Sequence, residues 1–356
     1  MITSLAVHRS ELLNIRRITQ PSTLAEGEVL MKIDTFSYTS NNTTYAVVAD
    51  MVGYWKFFPT EDQELGIIPC WGYATVTATK HGEIAVGQRF YGYYPMGTHL
   101  IASPTDISPR GFTDGAAHRH DLPSIYNQYL DTAHDPTYQA DLESVTSLFR
   151  PLFTTSFLLH VMLEEEAYFG ATQMILTSAS SKTAMGLAHC LQASRIEKGV
   201  KVTGLTSGKN KEFVSSSGLY DTVIGYEERA SVEVKPSVIV DFSGNHNLQA
   251  DLQEYLGAEL KFNSLVGVVH HEDRRGERPL RERGTLFFAP TYFHSAIEQM
   301  GAKAFGVALG DQFQSFITSL KKLKIVEHHG FDELEKIHKS MTKGDINPSQ
   351  GHIVKL

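Results

Sequence analysis

Residues 173–213 read QMILTSASSKTAMGLAHCLQASRIEKGVKVTGLTSGKNKEF, and their patterning decides the fold. An apolar run ending at Leu176 gives way to the small, hydroxylic loop Thr177–Ser181. A segment with helical periodicity follows, broken at Lys198-Gly199, and a second apolar run ends at Leu205. Strand, tight loop, helix and strand in that order make half of a dinucleotide-binding βαβ unit. In such units the pyrophosphate lies at the first helix's N-terminus, where N–H groups and the helix dipole favour anions.

Glycines normally allow that close approach, and here they are replaced by Ser178-Ala179-Ser180-Ser181-Lys182-Thr183-Ala184. The hydroxyls of Ser178, Ser180, Ser181 and Thr183 are candidate phosphate contacts, with Lys182 as a point charge. A serine-rich helix cap without any ligand is the competing reading. Ser181-Lys182-Thr183 also imitates the end of a P-loop, but Leu176 and Ser181 stand where both of its glycines belong. The second strand narrows the choice. A nicotinamide dinucleotide without a 2′-phosphate calls for an acid at that strand's end, whereas a 2′-phosphate calls for cations. The turn Thr206-Ser207-Gly208-Lys209-Asn210-Lys211 holds no acid before Glu212. Ser207, Lys209 and Lys211 are therefore candidates for a 2′-phosphate pocket, which favours NADPH; a solvated lysine turn is the alternative.

The 356 residues suffice for two domains, each with its own core. A net charge of −8 argues against nucleic acid or an anionic membrane as partner. Two cysteines, Cys70 and Cys190, cannot build a Cys-rich zinc site. Charges interrupt every apolar stretch of the N-terminal segment, which fits neither a secretory signal nor a membrane span, so a cytoplasmic protein is expected.

Elsewhere, alternation predicts strands at Glu28–Asp34 and Pro69–Ala78 in a Tyr- and Thr-rich, barrel-like half. Residues 103–139 read as a long excursion loop with short helices. A helix from Asp141 is expected to end before a second that opens at Pro151. Further strands are expected at Asp221–Ile224, Ser237–Asp241 and Ser264–Val269, in a parallel sheet. Helices at Gln312–Leu323 and Phe331–Met341 flank a short strand at Ile325–Glu327. The closing GHIVKL reads as a strand returning to the N-terminal sheet.

These features resemble the medium-chain dehydrogenase/reductase superfamily, on its zinc-free, quinone oxidoreductase-like side, over nearly the whole chain. Gly27–Tyr45 is similar to the family's first strand and its S-x-N-x-x-D segment, with Thr39 in place of Asn and Asn42 in place of Asp. Pro69-x-x-Gly72-Tyr73-Ala74-x-Val76 and Gly87-x-Arg89-Phe90-Tyr91-Gly92 look like two of its turns. Thr154-Thr155 falls where the family has Thr-Ala before the cofactor domain. Tyr220-Asp221-x-Val223-x-x-Tyr226 and Val240-Asp241-x-x-Gly244 look like its later βα junctions. The SASSKTA loop, the GLTS turn and the RPLFTTSFLL helix resemble an uncharacterised bacterial branch.

The resemblance implies an α/β protein: a Rossmann-type parallel-sheet cofactor domain (149–287) plus a β-rich GroES-like barrel substrate domain (1–148 and 288–356). It also implies a homodimer. Thr155, Tyr226 and Gly244 join the cofactor-binding candidates through it. His270, at the end of the strand LVGVV, joins them because ligands sit at the carboxyl edge of such sheets. The resemblance places Thr39 and Asn42 nearest the nicotinamide. Phenols, hydroxyls and amides of the β-rich half are the catalytic candidates: Tyr38, Thr39, Asn42, Tyr45 and Tyr93. A tyrosine hydroxyl suits the role of donor to a developing oxyanion, although most of the 15 tyrosines are expected to pack cores and strand faces. No histidine pair has helical metal-ligand spacing, so no metal is expected. The arginine-rich segment 272–284 carries interleaved acids and reads as a self-paired surface loop. The expected function is zinc-independent, NADPH-dependent reduction of a quinone, enone or other small carbonyl compound. A non-catalytic NADPH-binding sensor or adaptor is the alternative.

Overall fold

The computed structural model describes residues 1–267, 284–320, 323–345 and 347–356. The chain divides into two compact units, Met1–Leu148 with Leu323–Leu356, and Phe149–Lys322. The return falls at Leu323 and not at 288, because α-helices Ala289–Met300 and Ala302–Ser319 belong to the second unit. Phe305, Phe313 and Phe316 of the latter helix meet Phe157, Phe153 and Phe149, with ring centroids 5.7, 5.5 and 5.3 Å apart.

The second unit is built on six strands: β1 (Gln173–Leu176), β2 (Lys201–Thr206), β3 (Thr222–Gly225), β4 (Ser237–Asp241), β5 (Leu260–Leu265) and β6 (Thr285–Leu286). They pair in parallel in the order β3-β2-β1-β4-β5-β6. The order reverses between β1 and β4, which is where a doubly wound sheet takes its ligand. β1 is buried at every residue, and so is β4, as expected of central parallel strands covered on both faces. Ile175, Leu205, Ile224, Ile239, Leu252 and Leu256 form the core beneath this crevice. β5 begins at Leu260, earlier than Ser264, and of the strand expected there residues 268 and 269 lie outside the described residues, as do His270 and the arginines of 272–283.

In the first unit, strands Lys324–His329, Gln350–Lys355, Val29–Tyr38, Pro69–Thr79, Arg89–Pro95, Gln128–Asp131, Gly111–Asp114 and Pro104–Ser108 follow one another across a nine-stranded sheet, and His99–Ala102 also pairs with Val29–Tyr38. The closing segment does return: Ile353 pairs antiparallel with Ser37. Residues 103–139 hold three strands as well as short helices. Their core is aromatic, with Phe112 stacked on Tyr129 at 5.0 Å and edge-on to Phe90 at 5.0 Å. The cation Arg119 is only 1% exposed, 3.2 Å from Asp114 and 4.9 Å from the Phe58 ring centre.

A single helix, α1 (Glu143–Glu165), takes the place of the two expected, with Pro151 inside it. Proline lacks the N–H that would bond the carbonyl four residues back, here Ser147. That carbonyl instead accepts a hydrogen bond from Ser37 Oγ at 2.8 Å. Among the described residues, no helix is long and apolar enough to cross a membrane.

Candidate functional site

The loop after β1 runs from Thr177 into α2 (Lys182–Cys190). Of the four family glycine positions, the first alone takes a glycine-type conformation: Ser178 has φ 47°. Ser181 lies at φ −70°, ψ 148° as the N-cap, while Lys182 and Ala184 are helical, and none of these needs glycine. Ser178 N–H donates to Tyr226 Oη at 3.1 Å, Tyr220 Oη donates to the Ala179 carbonyl at 2.8 Å, and Ala179 N–H donates to Leu205 O at 2.9 Å. Two tyrosines thus hold a backbone path that glycine would only permit.

Thr177 Oγ1 donates to the buried Asp241 carboxylate at the end of β4 and accepts from Phe242 N–H at 3.0 Å. Asp241 also accepts from Ser243 Oγ at 2.7 Å and from Gly244 N–H at 3.1 Å. Gly244, with φ 62°, therefore turns the chain beside the crevice. These bonds lock β1 and β4 together at the reversal point.

The hydroxyls of the loop act first as acceptors. Ser181 Oγ accepts from Ala184 N–H at 3.3 Å, and Ser180 Oγ accepts from Asn210 Nδ2 at 3.1 Å. A hydroxyl that accepts through a lone pair still has its own proton to donate. Thr183 is half-buried, and its carbonyl accepts from Ser156 Oγ at 2.8 Å. Thr155, beside Ser156 on α1, returns its hydroxyl to Pro151 O at 3.3 Å. Burial pushes the Lys182 ammonium down to about 8.

At the end of β2, Ser207 Oγ is shielded from solvent and has no hydrogen-bond partner among the described residues. Lys209 is exposed, whereas Lys211 Nζ pairs with Glu228 at 2.5 Å. The sequence does not signal this acid, because the fold brings it from the turn after β3. Asn210 carries no such signal either, and Tyr220 enters only through the family resemblance; the roles of both depend on contacts across strands.

The catalytic candidates of the first unit separate into three groups. Thr39 and Asn42 form a capping box on the helix Ser40–Val47: Thr39 N–H donates to Asn42 Oδ1 at 2.7 Å. Asn42 Nδ2 donates to Pro69 O at 2.8 Å, so both side chains are engaged in holding the backbone. Tyr38 Oη lies 2.7 Å from His338 Nδ1, and His338 Nε2 lies 2.7 Å from the Leu12 carbonyl. A carbonyl only accepts, so Nε2 carries the proton and Tyr38 donates to Nδ1. Tyr45 and Tyr93 sit in an aromatic cluster with Tyr54, Phe57, Trp71 and Tyr126. Trp71 Nε1 donates to Tyr45 Oη at 3.1 Å, the Tyr54 and Tyr126 hydroxyls are 3.0 Å apart, and the Tyr93 ring is fully buried, edge-on to Tyr45 at 5.6 Å. Burial raises the Tyr45 and Tyr93 hydroxyls well above the usual phenol value, which keeps them neutral donors. Among the described residues, no three His, Cys, Asp or Glu side chains gather as a metal-ligand set.

This fold is shared with solved structures over nearly the full length of the chain. CurA from Vibrio vulnificus, solved in complex with NADPH, matches with a TM-score of 0.65 at 15% identity, covering 100% of this chain and 98% of that one. CurK enoyl reductase matches at 0.57 with 12% identity over 99% of both chains. S. aureus TarJ in complex with NADPH matches at 0.54 with 12% identity, over 100% of this chain and 99% of that one. At such identities the likeness is one of fold: a Rossmann-type domain with a β-rich GroES-like domain, as in medium-chain dehydrogenases/reductases. No curated protein matches the sequence. A family model described as "Protein of unknown function (DUF2855)" matches residues 36–347.

Proposed function

We propose that this chain, which belongs to the DUF2855 family, is a zinc-independent, NADPH-dependent reductase of a quinone, enone or other small carbonyl compound. The observation that carries the reading is the shielded, unpartnered Ser207 Oγ at the end of β2. It marks a hydrogen-bonding group awaiting a ligand, in a turn whose own residues offer lysines and no acid. Two structural neighbours crystallised with NADPH support the same cofactor.

NADPH would supply the hydride. Ser180 and Ser181 would donate their hydroxyl protons toward the pyrophosphate, with Thr183 and Lys182 beside them at the helix start. Thr155 and Ser178 stay with this loop, and Tyr226 and Gly244 flank it. Ser207, Lys209 and Lys211 would hold the 2′-phosphate. A neutral phenol, Tyr45 or Tyr93, is the group best suited to donate a hydrogen bond to a carbonyl oxygen as charge develops. Tyr38, Thr39 and Asn42 instead hold backbone and strand in place. A homodimer is the assembly we infer from the family resemblance.

Thermal unfolding with NADPH, NADH and ATP–Mg²⁺ in parallel tests the cofactor, since stabilisation follows ligand concentration over Kd. A shift with NADPH alone, followed by NADPH oxidation with an acceptor from a quinone and enone panel, is the expected result. Binding without turnover would identify a sensor or adaptor. No shift would withdraw the reading.

A further inference from the structure

We propose that Glu228 sets the discrimination between phosphorylated and unphosphorylated dinucleotide, by holding Lys211 as an internal stand-in for the 2′-phosphate. The inference rests on the NADPH reading above. One carboxylate oxygen, Glu228 Oε2, takes both the Lys211 ammonium, at 2.5 Å, and the Gly225 N–H, at 3.0 Å. Lys211 lies on the turn after β2 and Glu228 on the turn after β3, so the pair spans two neighbouring strand ends. The same turn sends Tyr226 Oη to the Ser178 N–H. Both anion-seeking groups, the lysine and the loop N–H, are thereby met by one seven-residue segment, 225–231. The neighbouring cation Arg229 is turned to Asp251, 2.6 Å away, and so does not compete for Glu228.

Charge and exposure decide which partner Lys211 keeps. The side chains of Lys211 and Glu228 are 40% and 55% exposed, and exposed pairs of this kind are weak. A 2′-phosphate carries close to two negative charges and three acceptor oxygens, against one charge on the carboxylate. It can therefore take Lys211 from Glu228, which keeps its bond to Gly225. NADH brings a hydroxyl there and leaves the pair closed. Glu228 thus acts as a specificity-determining residue: its charge opposes the phosphate and its release accompanies binding.

The test is Glu228→Gln, which keeps an oxygen for Gly225 and removes the charge. The expected result, by titration at low ionic strength, is NADPH binding tightened about fivefold with NADH unchanged. The gain should shrink at high salt, and Lys211→Met should abolish it. The unfolding midpoint of the free variant should stay within about 2 °C. Equal changes for both nucleotides, or weaker NADH binding, would overturn the proposal, the latter by showing that Glu228 reads ribose hydroxyls. An unchanged ratio would also overturn it while leaving the cofactor reading intact. Failure of the unaltered protein to bind either nucleotide would remove the cofactor reading itself.

Discussion

Ser178 holds a left-handed backbone at φ 47°, at a cost of roughly 1–2 kcal/mol for an L-residue. The bond from its N–H to Tyr226 offsets part of that cost. The glycine fingerprint was the local signal most missed in the sequence, yet only this one position needed it. What is legible is the chemistry of the loop, hydroxyls and a lysine before a helix; the tyrosines that hold it lie more than 40 residues downstream and are visible in the sequence only through the family resemblance. Lys182 gives the matching prediction. Burial sets its folded value at about 8, below the ordinary lysine value of 10.5. In the free protein the unfolded chain binds more protons between those values, so stability rises with pH there. Anion binding favours the charged form, so NADPH affinity should fall as pH rises through about 8. Lys182→Gln should flatten that profile in a fluorescence titration, and a pH-independent affinity in the unaltered protein would remove Lys182 from the site.

Helix α1 shows why an element boundary can be misread from a correct local rule. Proline does favour a first turn, and Pro151 looked like one. The carbonyl it strands is satisfied by Ser37 Oγ, a residue 110 positions away from Ser147 in sequence, so the helix continues. Removing that donor should leave Ser147 O unsatisfied, and Ser37→Ala should cost about 1–3 kcal/mol in denaturant unfolding. In a Pro151→Ala background the new N–H can reclaim Ser147 O, and the same change should cost far less. Equal costs in both backgrounds would show that Ser37 acts elsewhere. Residues 103–139 taught a similar lesson. Their turn residues were visible, but strands of four or five residues have too little periodicity to read, and the packing of Phe90, Phe112 and Tyr129 makes them strands.

At the scale of the molecule, the alternation of strands and helices gave away the parallel sheet, and the resemblance supplied the split of the chain. The resemblance puts the return at 288, whereas the chain re-enters the first compact unit at Leu323, after helices Ala289–Met300 and Ala302–Ser319. The closing strand was readable, and its removal makes a whole-molecule prediction. Ile353 and Val354 are fully buried, worth about 1.5–3 kcal/mol each against a typical total of 5–15 kcal/mol. Deleting residues 350–356 should unfold the β-rich unit while the unit 149–322 keeps its own transition in calorimetry. Two surviving transitions would show that the strand is dispensable. The same strand also constrains how the protein is made. It lies between Lys324–His329 and Val29–Tyr38, so the sheet begun by Val29–Tyr38 stays open along Phe36–Tyr38 until residues 350–355 have been synthesised. The contiguous unit between can fold as it emerges from the ribosome, domain by domain. The first-made unit is therefore the last to close, and in the interval its unpaired backbone edge is open to wrong partners. A nascent chain of this protein thus has a long window in which a chaperone would make the difference.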